Sequence, residues 1–372
     1  MRKALAIAAF VCGALVAGHA QAGNGTPINP GSANTLTLAV FGDWPYGPDV
    51  FAAAPRFVDS INSDPKVRLV LHVGDIHSGS QPCTGAGLSP LPAKADPTYN
   101  ETVFALFEQF KDPLVYTPGD NEWTDCHKSK QFSSGAPLNE LAAVRELFFP
   151  DPGYTLGGRK MRVLTQAEAF DPAFPADAQF VENVMFEDSQ VVFVTLNMPG
   201  SNNDGLKWTA PFTDEPARMQ EVAQRTAADI RWLRQAFALA EANGATAMLI
   251  GLQADMWDPA ALPTAVPPGD GLTGYTGFVH VLADLALHFG RPVLLINGDS
   301  HVFGSDRPLA DPASTTGKIH GTPAVPNLTR ITVQGSTNLP HEWLRVTIDP
   351  RTPWVFGWEH VVYCAADPCS GF

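Results

Sequence analysis

The chain has 372 residues, of which 38 are acidic and 24 basic, giving a formal net charge of −14. So acidic a surface argues against non-specific binding to nucleic acid or anionic lipid, and we predict no nucleic-acid partner. Charged residues make up only 17% of the sequence, while Gly and Pro number 32 and 33, a combination typical of a folded, loop-rich protein.

The first 22 residues are predicted to be an export signal. Arg2 and Lys3 form a basic start, residues 4–17 are apolar, and Ala20-Gln21-Ala22 provides a small-residue cleavage site. The apolar run is too short to cross a bilayer, and no other stretch reaches the roughly 18 apolar residues that a span requires. We therefore expect an exported protein, periplasmic or secreted, without a membrane span.

Cysteine usage agrees with export. The cysteines that follow the predicted cleavage point are Cys83, Cys126, Cys364 and Cys369. An even number in an oxidising compartment indicates two disulfides. Local pairing of Cys364 with Cys369 would leave Cys83 to pair with Cys126. A zinc site is the alternative interpretation, but no C-x-x-C spacing supports it.

Apolar strands that end on polar residues organise the rest of the chain. Residues 23–34 are rich in Gly, Asn, Pro and Ser and are predicted to be flexible, and residues 35–372 are predicted to form one domain. The strand-end residues are Asp43 after TLTLAVFG, Asp75 after VRLVLHVG, Asp120 after PLVYTPG, Gln253 and Asp255 after TAMLIGL, and Asp299 and His301 after PVLLING. A further strand, QVVFVTLN, lacks such an ending. The continuously apolar strands predict buried sheets.

Helical stretches separate several of these strands, at residues 102–110, 140–149, 216–242 and 277–289. Alternating strands and helices predict an α/β sandwich with its ligand site outside the carboxyl ends of the strands. Residues 150–188 are rich in Pro, Gly and Asp and are predicted to be a loop-rich insertion or partial cap. After His301, the segments RITVQG, WLRVTIDP and WVFGWEHV are expected to extend a second sheet.

The strand-end aspartates predict a metal site. One such Asp usually forms a turn or caps a helix, but four of them with a nearby His indicate a shared centre. Glycine before each carboxylate allows the backbone to turn sharply. Converging carboxylates repel one another, so they require a cation between them.

The order of these motifs resembles that of the calcineurin-like metallophosphoesterases, including the purple acid phosphatases. That family carries five strand-end blocks: D-x-H or D-x-G, G-D, G-N-H-[DE], a lone His, and G-H-x-H. HVGDI at 72–76 is similar to the second block, PGDNE at 118–122 to the third with two changes, and NGDSH at 297–301 to the fifth with one. The resemblance implies a four-layer α/β/β/α sandwich with a loop-rich insertion.

The resemblance also implies two divalent metal ions. Asp43 and His301 would bind the first ion, and Asp75 would bridge both. The second ion would be held by Asp120, Asp299 and Gln253, with Asp255 as an alternative to Gln253. Since that second donor set is all oxygen, we expect Mg, Mn, Ca or Fe rather than zinc.

One departure from the family pattern concerns catalysis. Asn121 stands where the family has a His that positions the phosphate and protonates the leaving group. An amide can hydrogen-bond a phosphoryl oxygen but cannot act as a general acid near neutral pH. We predict a role for Asn121 in positioning and His77 as the substitute proton donor, with His127 and His341 as further alternatives.

Aromatic and acidic residues beside the motifs are predicted to bind substrate. Tyr46 could replace the first-block His, because Pro45 cannot. Trp123 and Glu122 follow Asn121 directly and are predicted to face the substrate, although a Trp at a strand end is more often packing.

The sequence therefore predicts an exported metal-dependent phosphoesterase that hydrolyses a small phosphate mono- or diester with metal-activated water. Two alternatives stay open: a non-catalytic metal- or ligand-binding protein on the same scaffold, and a metal-dependent hydrolase of a non-phosphate ester. A serine hydrolase is disfavoured because no G-x-S-x-G motif occurs. The pattern makes no prediction about oligomeric state.

Overall fold

The computed structural model describes residues 34–83, 99–258, 260 and 271–364. The predicted signal at 1–22 lies outside these residues, as do residues 23–33 and Cys369. No helix in the described part of the chain is long and apolar enough to cross a membrane.

The described residues form two mixed sheets. Their strands are β1 (Leu36–Phe41), β2 (Leu69–His72), β3 (Leu114–Tyr116), β4 (Leu164–Thr165), β5 (Val184–Asp188), β6 (Val191–Thr195), β7 (Ala247–Gly251), β8 (Val293–Asn297), β9 (Gly304–Asp306), β10 (Leu328–Thr332), β11 (His341–Ile348) and β12 (Phe356–Cys364). The first sheet has the order β12-β11-β1-β2-β3, and the second has the order β4-β5-β6-β7-β8-β10-β9. Only β10 therefore extends the second sheet as expected, while β11 and β12 join the first sheet.

Helices connect and cover the strands. They are α1 (Gly47–Asn62), α2 (Tyr99–Phe107), α3 (Pro137–Phe148), α4 (Gln166–Ala169), α5 (Gly200–Asp204), α6 (Glu215–Ala242), α7 (Thr276–Phe289) and α8 (Thr315–His320). The long helix α6 begins after Asp214, whose side chain accepts a hydrogen bond from the Ala217 N–H. In contrast, α5 is a left-handed turn, since Ser201, Asn202 and Asn203 have φ values of 54°, 58° and 61°.

Three apolar cores stack these elements into four layers. The middle core lies between the two sheets and contains Leu38 and Val40 of β1. The alternating residues Ala39 and Phe41 belong to a second core, which lies against α1, α2 and α3. A third core joins the other face of the second sheet to α6 and α7. Both faces of the central strands are therefore buried, which explains their continuous apolar sequences and confirms the predicted α/β/β/α fold.

The segment 150–188 runs along the edges of both sheets. Leu156 forms an isolated bridge with Leu114 of β3, and residues 184–188 are β5, which pairs antiparallel with β6. Two ion pairs hold this segment to helices, Arg145 with Glu182 and Arg231 with Asp177. Residues 150–188 thus pack on the body of the domain.

Strand direction determines where the polar strand ends meet. β1, β2 and β3 are parallel neighbours in the first sheet, and β6, β7 and β8 are parallel neighbours in the second. The two sheets pack face to face, so the residues that follow β1, β2 and β3 lie opposite those that follow β7 and β8. All the predicted strand-end residues consequently converge at one end of the sandwich.

Candidate metal centre

Strained backbone turns bring the carboxylates together. Asp43, Asp75 and Asp299 have φ values of 50°, 62° and 76°, and His301 has a φ of 64°. Side chains other than glycine rarely adopt this left-handed region, and such strain is concentrated at functional sites. Gly119 is required beside them, because a Cβ there would collide with the Asp75 carboxylate. The local backbone is thus built around the positions of these side chains.

Two carboxylates and one imidazole form what we call the histidine side of the centre, consisting of Asp43, Asp75 and His301. Each offers one ligand atom, and these atoms all lie within 4.8 Å of one another. His301 Nε2 lies 3.2 Å from Asp43 Oδ1, while His301 Nδ1 lies 3.3 Å from the hydroxyl of Thr337. Such a set of converging oxygen and nitrogen donors fits a divalent transition-metal ion.

Electrostatics also indicate a cation at the histidine side. Burial raises the pKa of Asp75 well above its usual range, and repulsion from Asp120 and Glu122 raises it further. Burial lowers the pKa of His301, but the hydrogen bond and negative charge of Asp43 outweigh it, so the net shift is upward. A bound cation would relieve the repulsion between the buried carboxylates.

Tyr46 belongs to the histidine side. Its buried hydroxyl lies 3.0 Å from Asp75 Oδ2 and 3.4 Å from Asp43 Oδ1, and its ring meets the His301 ring edge-on at 5.4 Å. Burial and the charge of Asp75 raise the pKa of Tyr46 well above its usual range. The phenol therefore stays protonated and donates hydrogen bonds to the two carboxylates, which it helps to position.

Asp120, Gln253 and Asp299 form the opposite part, which we call the glutamine side. The Gln253 carboxamide oxygen accepts a hydrogen bond from the Gly200 backbone N–H. Because a backbone N–H can only donate, this contact fixes the orientation of the amide. Gln253 Nε2 then lies 3.3 Å from Asp75 Oδ2 and 3.2 Å from Asp120 Oδ1. In this orientation the N–H groups of Gln253 face the acids, whereas the predicted role as a ligand would require its oxygen to face them.

Residues that no sequence motif singled out complete the glutamine side. The Ser201 hydroxyl lies 2.8 Å from Asp120 Oδ2 and 2.7 Å from Asp125 Oδ1. Lys128 Nζ lies 2.7 Å from the same hydroxyl and 2.6 Å from Asp125 Oδ2. Burial and Asp125 raise the pKa of Asp120 to about 7, opposed by Lys128 and by the hydrogen bond from Ser201.

Asp299 contacts both sides of the centre. Its backbone N–H donates to Asp43 Oδ2 at 3.2 Å, and its own Oδ2 accepts from the Asp255 N–H at 3.0 Å. Burial and repulsion from Asp120 raise the pKa of Asp299 well above its usual range. Asp255, the alternative ligand to Gln253, pairs instead with Arg330 and accepts from Ser300 at 2.8 Å.

Comparison with known families agrees with this geometry. Residues 36–207 match the model of the calcineurin-like phosphoesterase family. This part of the chain, a little under half of it, is therefore similar to a calcineurin-like phosphoesterase domain. The matched range includes Asp43, Asp75 and Asp120, whereas Gln253, Asp299 and His301 lie beyond it.

Other comparisons are distant. No curated protein matches the chain. Among solved structures it is similar to "GAP50 the anchor in the inner membrane complex of Plasmodium", with a TM-score of 0.40, 10% identity, and coverage of 88% of this chain and 89% of that chain. Similarity at this level indicates nothing about activity.

Asn121 is the residue at which the family resemblance would place a catalytic His. Asn121 Nδ2 donates to Asp75 Oδ2 at 2.8 Å and lies 3.2 Å from the Tyr46 hydroxyl, while Asn121 Oδ1 accepts from Gln131 at 3.3 Å. These contacts orient the Asp75 carboxylate. Asn121 can therefore position groups at the centre, but its amide protons are not acidic enough to protonate a leaving group.

The surroundings of His77, the predicted substitute for the missing acid, do not favour proton donation. The side chain is fully buried, Nδ1 lies 3.3 Å from the Ser78 carbonyl, and the ring packs edge-on against Tyr99. Burial lowers the pKa of His77 to about 4, so the ring is neutral at physiological pH. Of the alternatives, His127 contacts Thr209 at 3.1 Å and His341 stacks near Tyr363.

Glu122 and Trp123, which the sequence predicts to face the substrate, are both fully buried. Glu122 accepts hydrogen bonds from the Tyr116 hydroxyl at 2.8 Å and from the Ile76 N–H at 3.1 Å. Trp123 packs under the Arg225 guanidinium at 5.3 Å. Both residues thus pack against the loops of the centre, and their contact with a substrate stays a prediction.

The predicted disulfide between Cys83 and Cys126 is present, with 5.6 Å between the Cα atoms. It ties the loop that follows Asp75 to the loop that follows Asp120. The second predicted pair includes Cys369, which lies outside the described residues.

One signal could have found Ser201. The strand that lacks an acidic ending, QVVFVTLN, is followed by the turn-forming sequence PGSNND at 199–204. Its polar group therefore comes a few residues later than in the other strands, in the left-handed turn α5.

Proposed function

We propose that this protein is an exported metal-dependent hydrolase of phosphate esters. The convergence of Asp43, Asp75 and His301 within 4.8 Å, with both aspartates inside the range that matches the phosphoesterase family, is the observation that carries the proposal. A divalent ion held there supplies Lewis acidity toward phosphoryl oxygens and lowers the pKa of bound water. The N-terminal signal pattern and the Cys83–Cys126 disulfide support export.

The side chains around the ion have separate roles. Tyr46 and Asn121 hold the Asp75 carboxylate in place through their hydrogen bonds. Lys128 is 29% exposed beside Ser201 and presents an ammonium group to an incoming phosphoryl oxygen. Without a metal ion, the buried carboxylates would repel an anionic ester, so binding and hydrolysis both depend on metal.

The absence of a proton donor at Asn121 points to the kind of ester. General acid catalysis contributes about 10²- to 10⁴-fold when the leaving group needs a proton. An aryloxide departs from phosphorus without protonation, so aryl esters should lose little of this factor. An alkoxide needs a proton when its P–O bond breaks, so alkyl esters should lose most of it. We therefore expect turnover to favour esters with acidic leaving groups.

The test is hydrolysis by the purified mature protein. 4-Nitrophenyl phosphate, bis(4-nitrophenyl) phosphate and an alkyl phosphate are assayed with Mg²⁺, Mn²⁺, Ca²⁺ or Fe²⁺, alongside sulfate and carboxylic esters. We expect metal-dependent release of nitrophenol from a phosphate ester that EDTA abolishes. Hydrolysis of the sulfate or carboxylic ester alone would refute the phosphate assignment.

A second candidate is a non-catalytic metal-binding protein. It is favoured by Asn121, which replaces the family's acid and whose amide is engaged with Asp75, Tyr46 and Gln131. This candidate predicts metal binding with no turnover of any ester in the panel. Metal binding and turnover measured on the same preparation separate the two functions.

A further inference from the structure

The amide of Gln253 faces the place where a second ion would have to lie. Its oxygen is engaged by the Gly200 N–H, and its nitrogen lies 3.3 Å from Asp75 Oδ2 and 3.2 Å from Asp120 Oδ1. Amide hydrogens carry partial positive charge and point at the same carboxylate oxygens that a cation would bind. An ion between Asp75 and Asp120 would therefore meet donors rather than a ligand oxygen.

The remaining groups on the glutamine side are also engaged by the chain. Asp120 Oδ2 lies 2.8 Å from the Ser201 hydroxyl, whose oxygen is held by Lys128 at 2.7 Å. Asp299 Oδ2 accepts from the Asp255 N–H. Attraction to Asp125 and Asp120 outweighs the effect of burial and raises the pKa of Lys128, so its ammonium stays charged beside these acids.

The left-handed turn α5 positions the groups that contact Gln253 and Asp120. Four consecutive residues, 201–204, have positive φ values. Each costs about 1–2 kcal/mol relative to a right-handed conformation, so the surrounding contacts must hold the turn. The buried Arg225 contacts the Asn203 carbonyl at 3.2 Å, and Gly274 N–H donates to Asn202 Oδ1 at 2.7 Å. The turn thereby places the Gly200 N–H on Gln253 and the Ser201 hydroxyl on Asp120.

We propose that the centre holds a single divalent ion, bound at the histidine side, and that Gln253, Ser201 and Lys128 take the place of a second ion at the glutamine side. This inference rests on the proposed function for the ion at the histidine side. It differs from the two-ion centre that the family resemblance implies. The Lys128 ammonium supplies positive charge near Asp120 and Asp299, and the neutral Gln253 amide donates hydrogen bonds to Asp75 and Asp120, in place of a metal.

The experiment measures metal content, independently of turnover. Mature protein is loaded with Mn²⁺, desalted and analysed by mass spectrometry for metal per protein, and Kd is measured by titration calorimetry. We expect one Mn²⁺ per chain for the wild type. Two ions in the wild type would overturn the inference and leave the proposed function standing, whereas no bound ion would overturn both.

Substitutions of Gln253 test the role of its amide. Gln253→Glu replaces the donor nitrogen with an oxygen at unchanged size, and Gln253→His introduces the family's ligand. At least one of them is expected to raise the content to two Mn²⁺ per chain, while the control Gln253→Met stays at one. If both variants fold, as judged by circular dichroism, and both still bind one ion, the Gln253 amide does not exclude the second ion and the inference fails.

Single substitutions then assign the bound ion to one side. Asp43→Asn is expected to reduce the content from one ion to none. Asp299→Asn is expected to keep one ion, because its backbone N–H still donates to Asp43. Loss of the ion in Asp299→Asn together with its retention in Asp43→Asn would place the ion at the glutamine side and overturn the inference.

Discussion

Both sides of the centre carry acids at the carboxyl ends of parallel strands, but the groups that surround these acids differ. On the histidine side, Asp43 and Asp75 follow parallel strands and converge with His301 into a set of ligand atoms within 4.8 Å. On the glutamine side, Asp120 also follows a parallel strand, but Gln253 and Ser201 direct donors at it. Strand ends thus bring polar residues together, and the residue types and neighbouring loops decide whether the group binds a cation.

Orientation of a single amide accounts for much of this difference. Gln253 carries one acceptor and one donor group, and the Gly200 N–H decides which of them faces the acids. A histidine at the same position could instead present an unprotonated nitrogen to a metal. A change of one residue type therefore alters the capacity of one half of the centre while the strands stay the same.

The largest expected effect comes from the carboxylate that both sides share. Asp75→Ala removes a ligand of the histidine side and the acceptor of Tyr46, Asn121 and Gln253. We expect Mn²⁺ affinity to fall by more than about 100-fold, beyond the roughly 10- to 100-fold seen for outer partners of ligands, and hydrolysis to fall with it.

Titration calorimetry on Asp75→Ala checks this expectation, with the exposed Asp49→Ala on α1 as the matched control. Equal affinities in the two variants would show that Asp75 is not a metal ligand and that the two sides do not differ in the way described.

The Cys83–Cys126 disulfide joins the loop that follows Asp75 to the loop that follows Asp120. The Cys83→Ala/Cys126→Ala double variant releases a cross-link with a sequence separation of 43 residues. We expect the free energy of unfolding to fall by about 2–4 kcal/mol, with a smaller loss of metal affinity than in Asp75→Ala. Urea unfolding with and without reductant measures the effect, and the reductant should destabilise the wild type more than the double variant, which keeps only the predicted Cys364–Cys369 pair. A double variant as stable as the wild type would show that packing alone holds the two loops together.

The Tyr46 hydroxyl orients the carboxylates of the histidine side without binding the ion itself. Tyr46→Phe removes the hydrogen bonds to Asp75 and Asp43 while keeping the ring against His301. We expect metal affinity to fall about 10-fold, as for other partners that orient a ligand. The exposed Tyr154→Phe is the control. An affinity unchanged by Tyr46→Phe would mean that the backbone alone orients the two carboxylates.

The smallest expected effect concerns an acid away from both sides, which provides a background for pH measurements. Burial raises the pKa of Glu140 from 4.5 to about 7. The folded state then holds a proton that the unfolded state has released, so stability is fully present below pH 4.5 and declines as pH rises toward 7. Glu140→Gln should remove this decline, with a gain of about 1 kcal/mol at pH 8 after allowance for solvent screening.

Thermal unfolding of Glu140→Gln between pH 4 and 8 measures the slope, with the exposed Glu146→Gln on the same helix as control. If Glu140→Gln keeps the slope of the wild type, the pH dependence originates elsewhere, and the acids of the centre become the first groups to test.

The layers of the fold were predictable because burial on both faces leaves a continuous apolar strand, which is visible locally in the sequence. Helix α1 was not predicted, although its buried side chains recur at helical spacing between residues 50 and 61, so its signal is present in the sequence. The placement of β11 and β12 in the first sheet depends on long-range pairing with β1, which local composition does not encode.

Part of the centre was predictable for a geometric reason. Parallel strands place their carboxyl ends at one edge, so the convergence of Asp43, Asp75, Asp120 and Asp299 follows from their positions. The orientation of Gln253 was not predictable, because it depends on a backbone N–H in a left-handed turn 53 residues away. The burial of His77 likewise depends on packing against Tyr99, which lies on another element.

A crystal structure of the protein grown with Mn²⁺ would show most directly how many ions are bound, because anomalous scattering locates each ion. We expect one anomalous peak, among Asp43, Asp75 and His301, with the Gln253 nitrogen still facing Asp120. A peak between Asp120 and Asp299, with the Gln253 oxygen turned toward it, would show that the glutamine side binds metal and that the proposed single-ion centre is wrong.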